Sequence, residues 1–147
     1  MINPIGTITA ANSVYMLTIP GVYPIPQQLV GYAADAAFET EASEPAEVVI
    51  GVDGYMSAGF VPFLTKQNIS IMPDSISSLV FEDWLAAQKA AQEILPASAI
   101  IYLPSISRAY AMTNGVLTSV LAIPGTRKVL QARMFAITWG DISPAPV

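Results

Sequence analysis

The chain has 147 residues, of which 53% are apolar and only 12% charged; it carries a net charge of −5 and contains neither Cys nor His. At this length a single domain over residues 1–147 is expected, and the apolar fraction excludes intrinsic disorder. Without Cys or His there is no disulfide, thiolate nucleophile, Cys/His zinc site or imidazole-based triad, and the negative balance argues against holding phosphate backbones or anionic lipid.

Residues 1–34 hold no charged side chain. Pro4, Pro20, Pro24 and Pro26 interrupt them and no leading positive charge is present, so neither a signal peptide nor a membrane span is expected, and the reading is a soluble intracellular product. Val14 to Ile19 is short, apolar and β-branched, which predicts a strand ended by Gly21-Val22-Tyr23-Pro24. Leu29 to Glu41 predicts a longer strand, with Val30, Tyr32 and Phe38 on one parity and Asp35, Glu39 and Glu41 on the other. Ser43 to Pro45 reads as a turn, Glu47 to Val52 as the next strand, and Asp53-Gly54 as a second turn. Phe60 to Thr65 and Asn68 to Met72 add two more strands.

A helix is predicted over Ser78 to Leu95. Ser77 or Ser78 would cap it, Glu82 and Asp83 would sit in or beside its first turn, and Pro96 would end it. Val80, Trp84, Ala87, Ala91 and Leu95 form its apolar stripe. Ala99 to Leu103 reads as a strand, and Asn114-Gly115 predicts a hairpin joining Ser107–Thr113 to Val116–Leu121. Pro124-Gly125 turns the chain into a strand over Val129 to Trp139, and the Ser143-Pro144-Ala145-Pro146 tail is expected not to continue a sheet. The whole reads as mainly β, an antiparallel unit of consecutive strands with one helix against a face or edge of a sheet.

Charge divides unevenly. Residues 1–65 contain Asp35, Glu39, Glu41, Glu44, Glu47 and Asp53 and no base; the remaining 82 contain all six bases against five acids. The first-half acids must face water, the basic half of a neighbour, or a deliberately negative surface.

Two carboxylates can work as a glycosidase pair, but the short connections leave no walled cleft. Asp35 and Asp53 match no calcium-loop spacing. Gly51-Val52-Asp53-Gly54 and Ser57-Ala58-Gly59 do not lie between a strand and a helix start, as a phosphate cradle requires. Trp84, Trp139, Phe60, Phe63, Phe81 and Phe135 read as core residues rather than stacking platforms. No enzyme, cofactor or metal is expected.

The block from Leu29 to Lys89 resembles the tail tube proteins of long-tailed bacteriophages, particularly contractile-tailed ones. Its most specific pieces are AADAAFETE, GVDGYMSAG, and the passage through PDS into FEDW; Leu103 to Gly140 continues the likeness. The resemblance implies an antiparallel β-sandwich or barrel with one flanking helix, a subunit that forms hexameric rings, stacked helically into a tube in the virion tail after assembly in the host cytoplasm. It implies as partners other copies of the chain, a tape measure protein, baseplate and terminator proteins, a sheath if the tail contracts, and DNA in passage. A bacteriocin or type VI-like tube, a baseplate, terminator or head-decoration protein, and a monomeric binding module are the competing readings. Low charge with high apolarity suits burial against other copies. On this view several of Asp35, Glu39, Glu41, Glu44 and Glu47 face the lumen or the next ring's basic patch at Arg127, Lys128 and Arg133.

Overall fold

The computed structural model describes residues 12–32 and 38–146. They form β1 (Val14–Ile19), β2 (Tyr23–Gln28), β3 (Phe38–Thr40), β4 (Ala46–Ile50), β5 (Met56–Phe60), β6 (Thr65–Ile71), α1 (Ser77–Ala91), β7 (Ala97–Leu103), a 3-10 turn (Pro104–Ile106), β8 (Arg108–Val120), β9 (Arg133–Trp139) and β10 (Asp141–Pro146). The fold is mainly β, with one helix and antiparallel pairing throughout. Strands run in the order β2-β1-β7-β8-β9-β6-β3, β10 pairs with β8, and β4 and β5 pair only with each other.

The path folds over at β8. Residues 108–113 of that strand lie between β7 and β10, while its far half pairs with β9. One layer is therefore β2, β1, β7, β10 and the first half of β8; the other is the second half of β8 with β9, β6 and β3. A strand that serves two sheets must bend at the corner, and here the bend falls at Asn114-Gly115. This dipeptide does not close the expected hairpin. Asn114 adopts φ +54°, and β8 has one residue more than β7 between the pairs Ala99↔Met112 and Ala97↔Gly115. Such a bulge re-aims the strand without ending it. Gly115 is required there because a Cβ would lie 2.4 Å from Cζ3 of the Trp139 ring.

The two inner faces supply the core: Tyr15, Leu17 and Ile19 from β1 and Ile101 from β7 meet Ile69 and Ile71 from β6 and Phe135, Ile137 and Trp139 from β9. Gln67 is the polar tie between the layers. Its Oε1 accepts from Tyr15 Oη at 2.6 Å and from Trp139 Nε1 at 3.2 Å, and its Nε2 donates to Thr40 Oγ1 at 3.2 Å. Buried donors at this depth need such a partner. Burial pushes the Tyr15 hydroxyl pKa well above 10.0.

Helix α1 packs on β9 through Phe81, which stacks on Phe135 at 4.3 Å between centroids. Its ends differ from expectation. The N-cap is Ile76, with no side-chain cap, and Ser77 and Ser78 lie inside the helix. Ser77 Oγ instead accepts from Val30 N at 2.7 Å, and Ser75 Oγ donates to Val30 O at 2.6 Å, so these hydroxyls fasten the chain leaving β2. No acid stands in the first turn, and Gln92 in left-handed geometry ends the helix before Leu95.

Four other expectations are corrected. Tyr23–Gln28 is a strand despite Pro24 and Pro26, and Asp141–Pro146 is a strand despite Pro144 and Pro146. Both are edges, where proline is tolerated. Leu29 N donates inward to Tyr15 O at 2.9 Å, so even positions of β2 face outward and its prolines remove donors from the free edge. In β10 the prolines likewise cannot donate into the ladder and sit at outward positions. The long Leu29–Glu41 strand is cut at Gly31 (φ +74°), with Tyr32 in an isolated bridge to Ile71 and Phe38–Thr40 as β3; the remainder falls outside the described residues. Residues 61–64, expected in a strand, are not in one.

Candidate functional site

The β4–β5 hairpin stands apart from both layers. Val48, Val49 and Ile50 favour extended backbone, and the tip is a tight turn in which Gly54 N donates to Gly51 O at 2.9 Å and Tyr55 N to Asp53 Oδ1 at 3.1 Å. Gly54 takes φ +84°, which Gly adopts at no steric cost. At the root Val61 N donates to Pro45 O at 2.9 Å, Glu41 N donates to Lys66 O at 2.8 Å, and Ser43 and Thr65 hydroxyls meet at 3.0 Å. The arm is thus fixed where it leaves the sandwich.

Directly opposed residues of an antiparallel pair share a face. The register places Ala46, Val48 and Ile50 with Phe60, Ala58 and Met56 on one face, and Glu47 and Val49 with Gly59 and Ser57 on the other. One face is wholly apolar, and it is bare: Ile50, Met56 and Phe60 are each more than 70% exposed. Phe63 lies against Phe60, edge to face. Phe60 and Phe63, expected in the core, are therefore surface residues, whereas Trp84, Trp139, Phe81 and Phe135 are buried. A two-stranded hairpin alone is marginal in water, and an apolar patch this contiguous marks a contact surface.

The acids cluster at this end. Glu39 and Glu41 lie on and beside β3, Glu44 and Glu47 at the arm's root and Asp53 at its tip, all exposed; Asp35 lies outside the described residues. Among the described residues no ion pair joins them to a cation of the same chain; the pair found is Arg133–Glu82.

The three bases do not form one patch. Arg127 and Lys128 are exposed on the 121–132 loop, beside exposed Ile123, Val129 and Leu130. Arg133 is buried. Its Nη1 donates to Glu82 Oε1 at 2.5 Å, its Nη2 to Leu121 O at 3.1 Å and Ala122 O at 2.9 Å, its Nε to Leu121 O at 3.2 Å, and it lies over the Phe135 ring. Its guanidinium is occupied within the subunit. The apolar arm face was missed by sequence reasoning, although the even-numbered alternation from Ala46 to Ile50 and Met56 to Phe60 encodes it.

The constellation sets an exposed apolar face beside exposed carboxylates. Among the described residues no group of three or more acids could hold a metal ion, and no helix is long and apolar enough to cross a membrane. A family model described as tail fiber protein gp32 matches residues 6–143. No curated protein sequence matches. A chain of an extracellular contractile injection system, the PVC sheath/tube terminator in its extended state, shares the fold at TM-score 0.65 and 7% identity, over 95% of this chain and 96% of that one. A chain of the anti-feeding prophage baseplate does so at 0.63 and 12%, over 100% and 99%. A chain of the PVC sheath-tube complex does so at 0.62 and 8%, over 96% and 93%.

Proposed function

The chain belongs to the tail fiber protein gp32 family, and on that premise we propose that it is a structural subunit of a phage-like tail, assembling with its own copies into stacked rings that form the inner tube. The observation that carries this reading is the bare apolar face of the β4–β5 arm, which stands apart from the sandwich. Exposed area of that kind is stable when a neighbour covers it, and obligate interfaces are built from such surfaces. The shared fold with chains of sheath, tube and baseplate assemblies supports the same role. On this reading six copies make a ring, the tube encloses a tape measure protein and passes DNA, and a sheath and baseplate contact it. The location is the virion tail, reached from the host cytoplasm; the protein catalyses nothing.

A second reading, a terminator that caps the tube as a single ring, is favoured by the likeness to a chain of the sheath/tube terminator. Negative-stain electron microscopy of the purified protein, with light scattering on a size-exclusion column, tests both. Long cylinders support the tube and isolated rings the cap; a monomer at high concentration refutes self-assembly altogether.

A further inference from the structure

We infer that the acidic arm of one copy docks on the 121–130 loop of the next copy, its apolar face against Ile123, Val129 and Leu130 and the carboxylates at its root and tip, Glu44 and Asp53, toward Arg127 and Lys128. The inference rests on the self-assembly reading and adds to it the surface that receives the arm.

Charge selects that surface. From residue 38 to residue 65 the chain has Glu39, Glu41, Glu44, Glu47 and Asp53 and no base, and from 94 to 140 it has bases and no acid. Each segment lacks a counter-charge of its own, and complementary potentials are what fix register between partners. Apolarity selects it as well. Ile123 and Val129 are 74% and 70% exposed, close to the 75% of Ile50 and the 72% of Met56 on the arm. The groove between β3 and strands β7, β8 and β10, lined by Phe38, Ile101, Leu103, Tyr110, Met112 and Ile142 with Thr40 and Gln67, is mostly apolar too. Its one cation among the described residues is Arg108 at the rim, opposite Leu103, whereas the loop presents two adjacent ones, Arg127 and Lys128.

The loop is also prepared as a platform. Gln131 N donates to Gly125 O at 2.8 Å, Gln131 Nε2 donates to Val129 O at 2.8 Å, Leu121 N donates to Met134 O at 3.1 Å, and Thr126 bridges Leu130. Buried Arg133 holds the carbonyls of Leu121 and Ala122. A surface fixed before contact loses less freedom on binding. Arg133 is therefore a positioning residue for the site that Arg127 and Lys128 present.

The test uses full-length chains and two charge reversals at exposed positions. The arm variant E44K/D53K and the loop variant R127E/K128E should each raise the critical concentration for assembly at least about tenfold at low salt, since like charges then face each other. Their equimolar mixture should assemble, because each arm again meets an oppositely charged loop, and the product should contain the two chains in equal amounts. Wild-type assembly should weaken as salt shortens the screening length from about 10 Å at 0.1 M to about 3 Å at 1 M. Full assembly by either variant alone, failure of the mixture while both variants melt like wild type, or a salt-independent critical concentration would each overturn the docking assignment and leave self-assembly standing. A wild-type chain that never assembles would overturn self-assembly itself.

Discussion

Val48 and Val49 are adjacent, chemically identical and equally exposed at 56%, yet the hairpin register puts them on opposite faces. If the apolar face is the one a neighbour covers, replacing each by Ser separates docking from folding. Covering the exposed part of a valine recovers roughly half of its full burial energy, about 1 kcal/mol. Val48→Ser should then raise the critical concentration about fivefold, and Val49→Ser should leave it nearly unchanged. Adding Ile50→Ser, at 75% exposure, brings the total to about 2.5 kcal/mol and the shift to about seventyfold. Because both valines already face water, neither change should move the subunit's stability by more than about 0.5 kcal/mol. Sedimentation against concentration gives the first quantity and thermal melting the second. Equal shifts for the two valines, or a fall in melting temperature that tracks the assembly defect, would refute the reasoning.

Three further outcomes follow from the interior. Gly115→Ala drives a methyl group into the Trp139 ring and should cost about 2 kcal/mol or more in a urea titration; a neutral result would mean the corner yields easily. Arg133→Leu leaves the carbonyls of Leu121 and Ala122 without their donor and should destabilise the subunit by about 2–3 kcal/mol. Arg133→Lys should recover little of it, because one ammonium cannot reproduce the guanidinium's fork; full recovery by Lys would show that charge alone matters. For Tyr15, burial raises the folded pKa well above its ordinary value of 10.0, so its contribution is complete below pH 10 and is lost as pH rises beyond it. Stability should then fall by up to about 1.4 kcal/mol per pH unit for this group. Tyr15→Phe should shallow that alkaline slope, and an unchanged slope would rule the residue out as its source.

The mainly β fold with its single helix was legible because β-branched alternation marks strands such as Val14–Ile19 and three- and four-residue spacing marks the helix. What escaped were places where tertiary context overrides a local signal. Asn114-Gly115 has the chemistry of a hairpin, but Trp139 packed on Gly115 and pairing to β9 carry the strand through. Pro24, Pro26, Pro144 and Pro146 read as breakers because proline cannot donate, a defect with no consequence at an edge. The acids of the candidate site were legible as a charge block. Burial was not: Phe60 and Arg133 look like a core residue and a surface residue, and the fold exchanges those roles. Sparse charge implied surface hidden against other chains; which surface required the register of β4 on β5.

The arm and the loop proposed to receive it are different patches of one molecule, so the contact has a direction. Copies joined this way either close on themselves or leave a row with unlike extremities, one showing an unclaimed hairpin and the other a vacant platform. A protein that finishes one extremity offers the wrong surface to the other. Any open row therefore needs two distinct finishing partners, one presenting a cationic cradle and the other an anionic finger.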